Sequence, residues 1–255
     1  MTDPPRTALV TGGARRIGRA IVLGLAGAGY GVVVHYRRSR DEAEALAGEI
    51  RETGGRAAAV AGDLAREDET ATLIARAMQA LGPIDVLVNN ASVFERDEAL
   101  TATRESWDAH MEVNLRAPFA LTQAFARALP DGIEGSVINL LDQRVANPTP
   151  HFTSYTVSKA GLWMLTRTLA LALAPRVRVN GIAPGPVLPS RRQSAEQFRR
   201  QARATPLGRA ADPAEIAETV LFLLAARSVT GQMIALDGGQ HLNWSPPPAA
   251  PAAEE

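Results

Sequence analysis

Thr7-Ala8-Leu9-Val10-Thr11-Gly12-Gly13-Ala14-Arg15-Arg16-Ile17-Gly18 passes from a short apolar run through a glycine turn into a helical pattern. Gly12 permits a tight turn, Gly13 is a permissive neighbour, and Gly18 allows the helix to approach the strand. A helix that starts there presents unpaired amides and the positive end of its dipole to an anion such as a pyrophosphate. The spacing is Gly-x5-Gly rather than the common Gly-x-Gly-x-x-Gly. The specificity therefore comes from its position, after a strand and before a helix, more than from the glycines alone.

From this turn onward, strands and helices alternate. Apolar runs predict strands near residues 7–10, 31–36, 56–61, 84–89, 136–140, 177–182 and 233–236. Helical periodicity predicts helices near 17–28, 41–53, 67–81, 106–129, 154–174 and 213–226; in the second, Ala43, Leu46, Ala47 and Ile50 form the apolar stripe before Gly54-Gly55 ends it. Asp212 and Glu215 form a capping box before the last helix. This alternation implies right-handed crossovers and a parallel sheet covered on both faces. The expected fold is α/β, a single doubly wound Rossmann-type domain over residues 1–244 with a sheet of about seven strands. The Pro/Ala-rich segment 245–255 cannot bury a core and is expected to be disordered.

Composition narrows the partners. With 27 basic and 27 acidic residues, the chain has no net field to recruit nucleic acid or an anionic membrane. It has no cysteine, which excludes disulfides and thiol catalysis and fits a reducing compartment. The start, Met1-Thr-Asp-Pro-Pro-Arg6, has no signal-peptide pattern, and no helix is apolar and long enough to span a bilayer, so a cytoplasmic protein is expected. His35, His110, His151 and His241 show no metal-ligand spacing, and no metal site is expected.

A single lysine, Lys159, stands against 26 arginines and follows one of three tyrosines by four residues, in Tyr155-Thr-Val-Ser-Lys159. On a helix the two share a face one turn apart. A compact ammonium there can lower the phenol's pKa and make Tyr155 a general acid, a service arginine performs poorly. At the end of the second strand, His35-Tyr36-Arg37-Arg38-Ser39 carries no carboxylate for a ribose diol. Two guanidiniums and a hydroxyl, with Arg15 or Arg16 nearby, suit a 2′-phosphate and favour NADPH over NADH.

With the glycine turn, the Tyr155/Lys159 pair and their separation in hand, the chain resembles the short-chain dehydrogenase/reductase family along about residues 6–240. By that resemblance Asp63 and Leu64 border the adenine. Asn89-Asn90-Ala91-Ser92 supports the sheet beside the cofactor, Asn114 holds a relay water, and Pro184-Gly185 covers the nicotinamide. Gly12, Arg15, Arg16, Ile17, Gly18, Asn90, Ala91, Ser92, Tyr155 and Lys159 join the cofactor set, with Lys159 on the ribose hydroxyls. The loop after Gly185 lacks the family's usual threonine. The resemblance also implies a homotetramer and a substrate loop at about residues 186–210.

One departure is informative. Thirteen residues before Tyr155 most family members have a serine, and this chain has Asp142. A carboxylate there would repel a ketone's developing oxyanion, whereas protonated or water-linked it could deliver a proton to a ring nitrogen. With the Thr11–Gly18 turn and the 35–39 strand end, Asp142 resembles the pteridine reductases and the related dihydromonapterin and dihydrofolate reductases. Phe94 matches their stacking aromatic and Arg16 their phosphate and pterin contact. The expected small-molecule site is thus Arg16, Ser92, Phe94, Asp142 and Tyr155, and the expected reaction is NADPH-dependent reduction of a pterin-type C=N bond. A carbonyl reductase of the 3-oxoacyl-carrier-protein or alcohol/sugar type is the alternative. A cofactor sensor without turnover is a third reading, opposed by the presence of both Tyr155 and Lys159. Arg191, Arg192, Arg199, Arg200 and Arg203 fit either an anionic substrate tail or a solvated helix face.

Overall fold

A computed structural model describes residues 6–190 and 192–243; Arg191 and the segment 245–255, expected to be disordered, lie outside the described residues. Seven strands form one parallel sheet: β1 (Thr7–Val10), β2 (Gly31–Tyr36), β3 (Ala57–Ala61), β4 (Val86–Asn89), β5 (Gly135–Leu140), β6 (Val177–Pro184) and β7 (Met233–Leu236). Their order is β3-β2-β1-β4-β5-β6-β7, the doubly wound arrangement expected for a single Rossmann-type domain.

The sheet is buried on both faces because its strands carry apolar side chains at successive positions. Ala8 pairs in register with Val32 and Val86, and Val10 with Val34 and Val88. All six belong to a core under α1 (Arg16–Gly27), α2 (Arg40–Glu52) and α8 (Pro213–Ala225). Leu9, offset by one residue, aligns with Val33 and Leu87 on the opposite face. There α3 (Glu67–Leu81), α5 (Ala117–Ala128) and α6 (Thr153–Leu173) contribute Leu73, Leu121 and Ala170. A slip of one residue would exchange these two sets, so packing fixes the register.

The segment expected as one helix at 106–129 is divided. It begins as α4 (Arg104–Met111), capped by Thr103, whose hydroxyl accepts from the Ser106 N–H in a capping box. It then widens into a π turn at Glu112–Arg116 before continuing as α5. Pro118 supplies the reason: it has no N–H to offer the carbonyl of Asn114, and its ring crowds that carbonyl. A nine-residue helix, α7 (Ala195–Arg203), lies within the expected substrate loop and buries none of its side chains fully.

The carboxyl ends of the central strands are tied to α6 by a buried chain of side chains. Asn89 Nδ2 donates to Asn139 Oδ1 at 2.8 Å, and Asn139 Nδ2 donates to Thr166 Oγ1 at 2.9 Å. Thr166 Oγ1 donates to the Leu162 carbonyl at 2.8 Å, which completes the link from β4 through β5 to the helix carrying Tyr155 and Lys159. Thr166→Val should therefore strand the Asn139 donor and lower unfolding free energy by roughly 1–3 kcal/mol, read from urea denaturation.

Candidate active site

The turn after β1 is held from three sides. Gly12 adopts φ +61°, and its N–H donates to His35 Nδ1 at 3.1 Å. Because a backbone N–H can only donate, His35 Nε2 carries the proton and donates to the Gly62 carbonyl at 3.0 Å. Asn90 Nδ2 donates to the carbonyls of Thr11 at 2.8 Å and Gly12 at 3.1 Å. A Cβ at Gly18 would lie 2.2 Å from the Gly12 carbonyl oxygen, so only glycine allows α1 to sit this close. His35, expected in the cofactor set, is 2% exposed with both ring nitrogens used by the backbone; it braces the turn from inside.

The start of α1 suits an anion. It has no side-chain cap and no acidic residue in its first turn, whereas α4, α7 and α8 each have a capping box. Arg37 and Arg38 are exposed at the end of β2 beside buried Tyr36 and Ser39. Arg37 faces Asp63 at 3.7 Å, and Leu64 is buried next to it. Arg15 pairs with Glu42 at 3.2 Å. Arg16, held at φ +54°, donates to the carbonyls of Leu188 and Pro189 at 3.3 and 3.0 Å and so ties the glycine turn to the expected substrate loop.

Above these groups lies a cavity of about 210 Å³ at the carboxyl ends of the strands. It gathers Arg16, Ile17, Asn90, Ser92, Phe94, Asp142, Tyr155, Lys159, Pro184 and Gly185 from the sequence expectation. A larger cleft, about 550 Å³, opens at the amino ends of the strands. Its charges are consumed internally: Arg6 binds Asp85 at 2.6 Å, Arg227 binds Glu134 at 3.1 Å, and Arg178 donates to four carbonyls at the end of α8 and beyond. The smaller cavity holds the groups able to do chemistry.

Tyr155 and Lys159 lie on one face of α6, both buried. The Tyr155 hydroxyl donates to Asp142 Oδ2 at 2.9 Å, and Lys159 Nζ donates to the Leu140 carbonyl at 2.7 Å. Burial, with the Asp142 carboxylate second, pushes the Tyr155 phenol well above its ordinary value of 10. This reverses the lowering expected from Lys159, whose ammonium is turned to a carbonyl and is itself lowered by burial to about 8. The resting phenol is a proton store rather than a partly ionised base.

Asn114, on the π turn, has its whole amide committed. Its Oδ1 accepts from Val93 N at 2.8 Å and Ser92 Oγ at 3.2 Å, and its Nδ2 donates to Val93 O at 2.9 Å and Ser158 Oγ at 3.1 Å. It clamps the 90–93 loop to α6 and keeps no side-chain capacity for the expected relay water.

Sequence reasoning missed several groups. Phe152 stacks on Phe94 with centroids 4.4 Å apart and 9° between planes, while the Phe94 ring meets Tyr155 edge-on at 4.7 Å. Phe152 has φ +59°, held by its N–H donating to the Asp97 carbonyl at 2.7 Å; nothing local in the sequence marks it. Arg144, two residues after Asp142, lies 5.1 Å from the Phe152 centroid, and Phe198 and Gln201 of α7 complete the wall. Beneath them Asp97, Ser154 and His110 form a buried relay. Glu95 N–H donates to His110 Nε2 at 3.1 Å, so Nδ1–H donates to Ser154 Oγ at 2.7 Å, and Ser154 donates to Asp97. Ser154 is 0% exposed, so the relay anchors the start of α6 and offers no nucleophile. Among the described residues no cluster of three metal-ligating side chains converges, and no helix is long and apolar enough to cross a membrane.

A Rossmann-type sheet, an uncapped helix start behind a glycine turn, and a buried Tyr/Lys pair over the strand ends define a short-chain reductase. The chain belongs to the short-chain dehydrogenase/reductase family and is an oxidoreductase: the family model described as Enoyl-(Acyl carrier protein) reductase matches residues 12–241. It is 51% identical to FolM Alternative dihydrofolate reductase 1 from Brucella canis, solved with NADP, with a TM-score of 0.92 over 96% of this chain and 97% of that one. The Brucella suis counterpart, also with NADP, is 50% identical, with a TM-score of 0.93 over 96% and 98%. The 3-oxoacyl-[acyl-carrier-protein] reductase FabG of Staphylococcus epidermidis is 35% identical over 242 residues, 93% of this chain and 99% of the relative.

The buried His35 gives the fold an acid weakness. Burial lowers it from 6.5 to about 4, so the native protein binds fewer protons than the unfolded chain between those values. Its contribution is intact above pH 6.5 and is lost as pH falls through that window, on the order of 3 kcal/mol in all. Denaturation curves across this range should show a flatter pH dependence for His35→Asn, even though the variant starts less stable at neutral pH.

Proposed function

We propose that the protein is an NADPH-dependent reductase of a pterin-type C=N bond, in the class of the pteridine, dihydromonapterin and dihydrofolate reductases. The observation that carries this reading is the hydrogen bond from Tyr155 to Asp142 beside the exposed side of Phe94, in a chain half identical to the FolM enzymes over nearly its whole length.

The residues present fit the cofactor. The uncapped amides of α1 and the close-packed Gly12 and Gly18 receive the pyrophosphate, and Arg37, Arg38, Ser39 and Arg15 supply donors for a 2′-phosphate. Asp63 and Leu64 would border the adenine, Lys159 would hold the ribose hydroxyls, and Pro184-Gly185 would cover the nicotinamide. NADPH, when bound, supplies the hydride.

The chain's own residues govern the ring and the proton. One face of Phe94 is covered by Phe152, so a flat heterocycle stacks against the other, with Ser92 and Arg16 at its edge. Tyr155 remains protonated at neutral pH because burial and Asp142 oppose the phenolate. For reduction of the ring, the Tyr155 hydroxyl would turn its proton from Asp142 Oδ2 to the ring nitrogen. The C=N bond becomes CH–NH, and solvent restores the phenol proton. Asp142 thereby sets where the proton waits, and a substrate nitrogen takes over its place as acceptor.

The second reading, a carbonyl reductase, is favoured by the 35% identity to FabG over nearly the whole chain. The homotetramer implied by the family resemblance is retained as a proposal: Val157, Met164 and Leu171 stay exposed at seven-residue spacing along α6, a stripe that a second copy could cover.

NADPH oxidation with dihydrobiopterin, dihydromonapterin, dihydrofolate and an acetoacetyl thioester, for the wild type and Asp142→Ser, separates the two readings. Turnover of a pterin-type substrate that falls at least about 100-fold in the variant is expected. Thioester turnover that persists or rises in Asp142→Ser would overturn it in favour of the carbonyl reductase.

A further inference from the structure

Asp142 brings a negative charge to within hydrogen-bond reach of Tyr155, and a proton donor beside an uncompensated carboxylate gives up its proton poorly. Lys159 feels the Asp142 carboxylate, which opposes the lowering of its pKa by burial, but its Nζ donates to the Leu140 carbonyl and lies 5.8 Å from the Tyr155 ring centroid.

A second cation stands on the other side of the carboxylate. Asp142 caps the short turn Gln143–Val145, and its two oxygens have separate partners. Oδ1 accepts from the Arg144 backbone N–H at 2.8 Å and faces Arg144 Nη1 at 3.6 Å, which leaves Oδ2 for the Tyr155 hydroxyl. The side chains of Arg144 and Asp142 are only 9% and 15% exposed, so water screens the pair weakly. The guanidinium also lies 5.7 Å from the Phe94 centroid and 5.1 Å from that of Phe152, so the aromatic pair that walls the cavity holds it in place. Arg144 is in addition the cation whose charge lowers the Tyr155 phenol, against burial and Asp142.

We propose that Arg144 is a positioning residue for proton delivery: it holds the Asp142 carboxylate rotated with Oδ2 toward Tyr155 and balances that carboxylate's charge as the phenol releases its proton. The proposal rests on the reading of Asp142 and Tyr155 as the proton site and applies to whichever substrate they serve. The charged and titratable groups around them are Arg144 on the same turn, Tyr155 and Lys159 on α6, and His110, whose ring meets Tyr155 edge-on at 5.9 Å. An arginine two residues after Asp142 thus does part of what the sequence assigns to Lys159.

The test compares wild type, Arg144→Lys, Arg144→Gln and Arg144→Met by thermal melting and by steady-state kinetics across pH. Loss of the cation should lower kcat at least about tenfold, leave the KM for NADPH within about twofold, and move the pH–rate profile upward by about one unit, because each nearby group then holds its proton more tightly. Arg144→Lys should return the profile toward wild type, and Arg144→Gln, which keeps a donor toward Asp142 without the charge, should show the same upward movement as Arg144→Met. A profile that stays in place in the folded Gln variant, with rate lost equally at every pH, would overturn the proposal. If pterin-type substrates are inert and the acetoacetyl thioester turns over, the substrate reading fails and the same pH comparison, run with the thioester, still decides the role of Arg144.

Discussion

The active end of this protein depends on how tightly the ends of β1 and β4 are locked to the start of α1. Thr11 Oγ1 accepts from the N–H groups of Asn90 and Ala91, and the Asn90 amide returns two hydrogen bonds to the carbonyls of Thr11 and Gly12. These strands are the neighbours at which the chain's winding reverses, where an α/β sheet leaves a crevice. Gly18 is bound to the same constraint, since its missing Cβ is what lets the helix amides come within reach of an anion.

Burial then sets the chemistry. Taking Tyr155 and Lys159 out of water disfavours the charged form of each, so the phenol rises and the ammonium falls. The Asp142 side chain accepts the hydrogen bond of the Tyr155 hydroxyl. A ketone would have to develop an oxyanion beside this carboxylate, whereas an imine nitrogen accepts a proton there without that repulsion. On the proposed reading, the aspartate at position 142, where the resemblance expects serine, bears on substrate class.

Backbone strain is concentrated in the same place. Among the described residues only Arg16 and Phe152 adopt left-handed backbone without being glycine, and both line the cavity. Such a conformation costs of order 1 kcal/mol or more and persists only where neighbours enforce it. At Phe152 the enforcing contacts are the Asp97 carbonyl and the Phe94 ring; at Arg16 they are the two carbonyls of the loop across the cavity. The strain aims one aromatic and one guanidinium into a space that relaxed residues would leave less defined.

The sheet, its two helix layers and the glycine turn were legible in the residues because hydrophobic periodicity and glycine placement act locally. The Tyr155/Lys159 pair was legible for a similar reason, since a four-residue spacing on a helix fixes a shared face. Sequence alone also set Asp142 apart from the family's serine. The rest depended on distant parts of the chain meeting. His35 looked like a cofactor residue at a strand end until the fold turned it inward onto Gly12 and Gly62. The 90–93 loop claims the Asn114 side-chain amide, and the π turn that carries it answers to Pro118, which leaves the Asn114 backbone carbonyl without a helical N–H. Phe152 and Arg144 carry no local signal at all. Their roles arise from stacking and charge pairing across separate segments, and the direction in which Tyr155 titrates follows from burial, which only the tertiary structure decides.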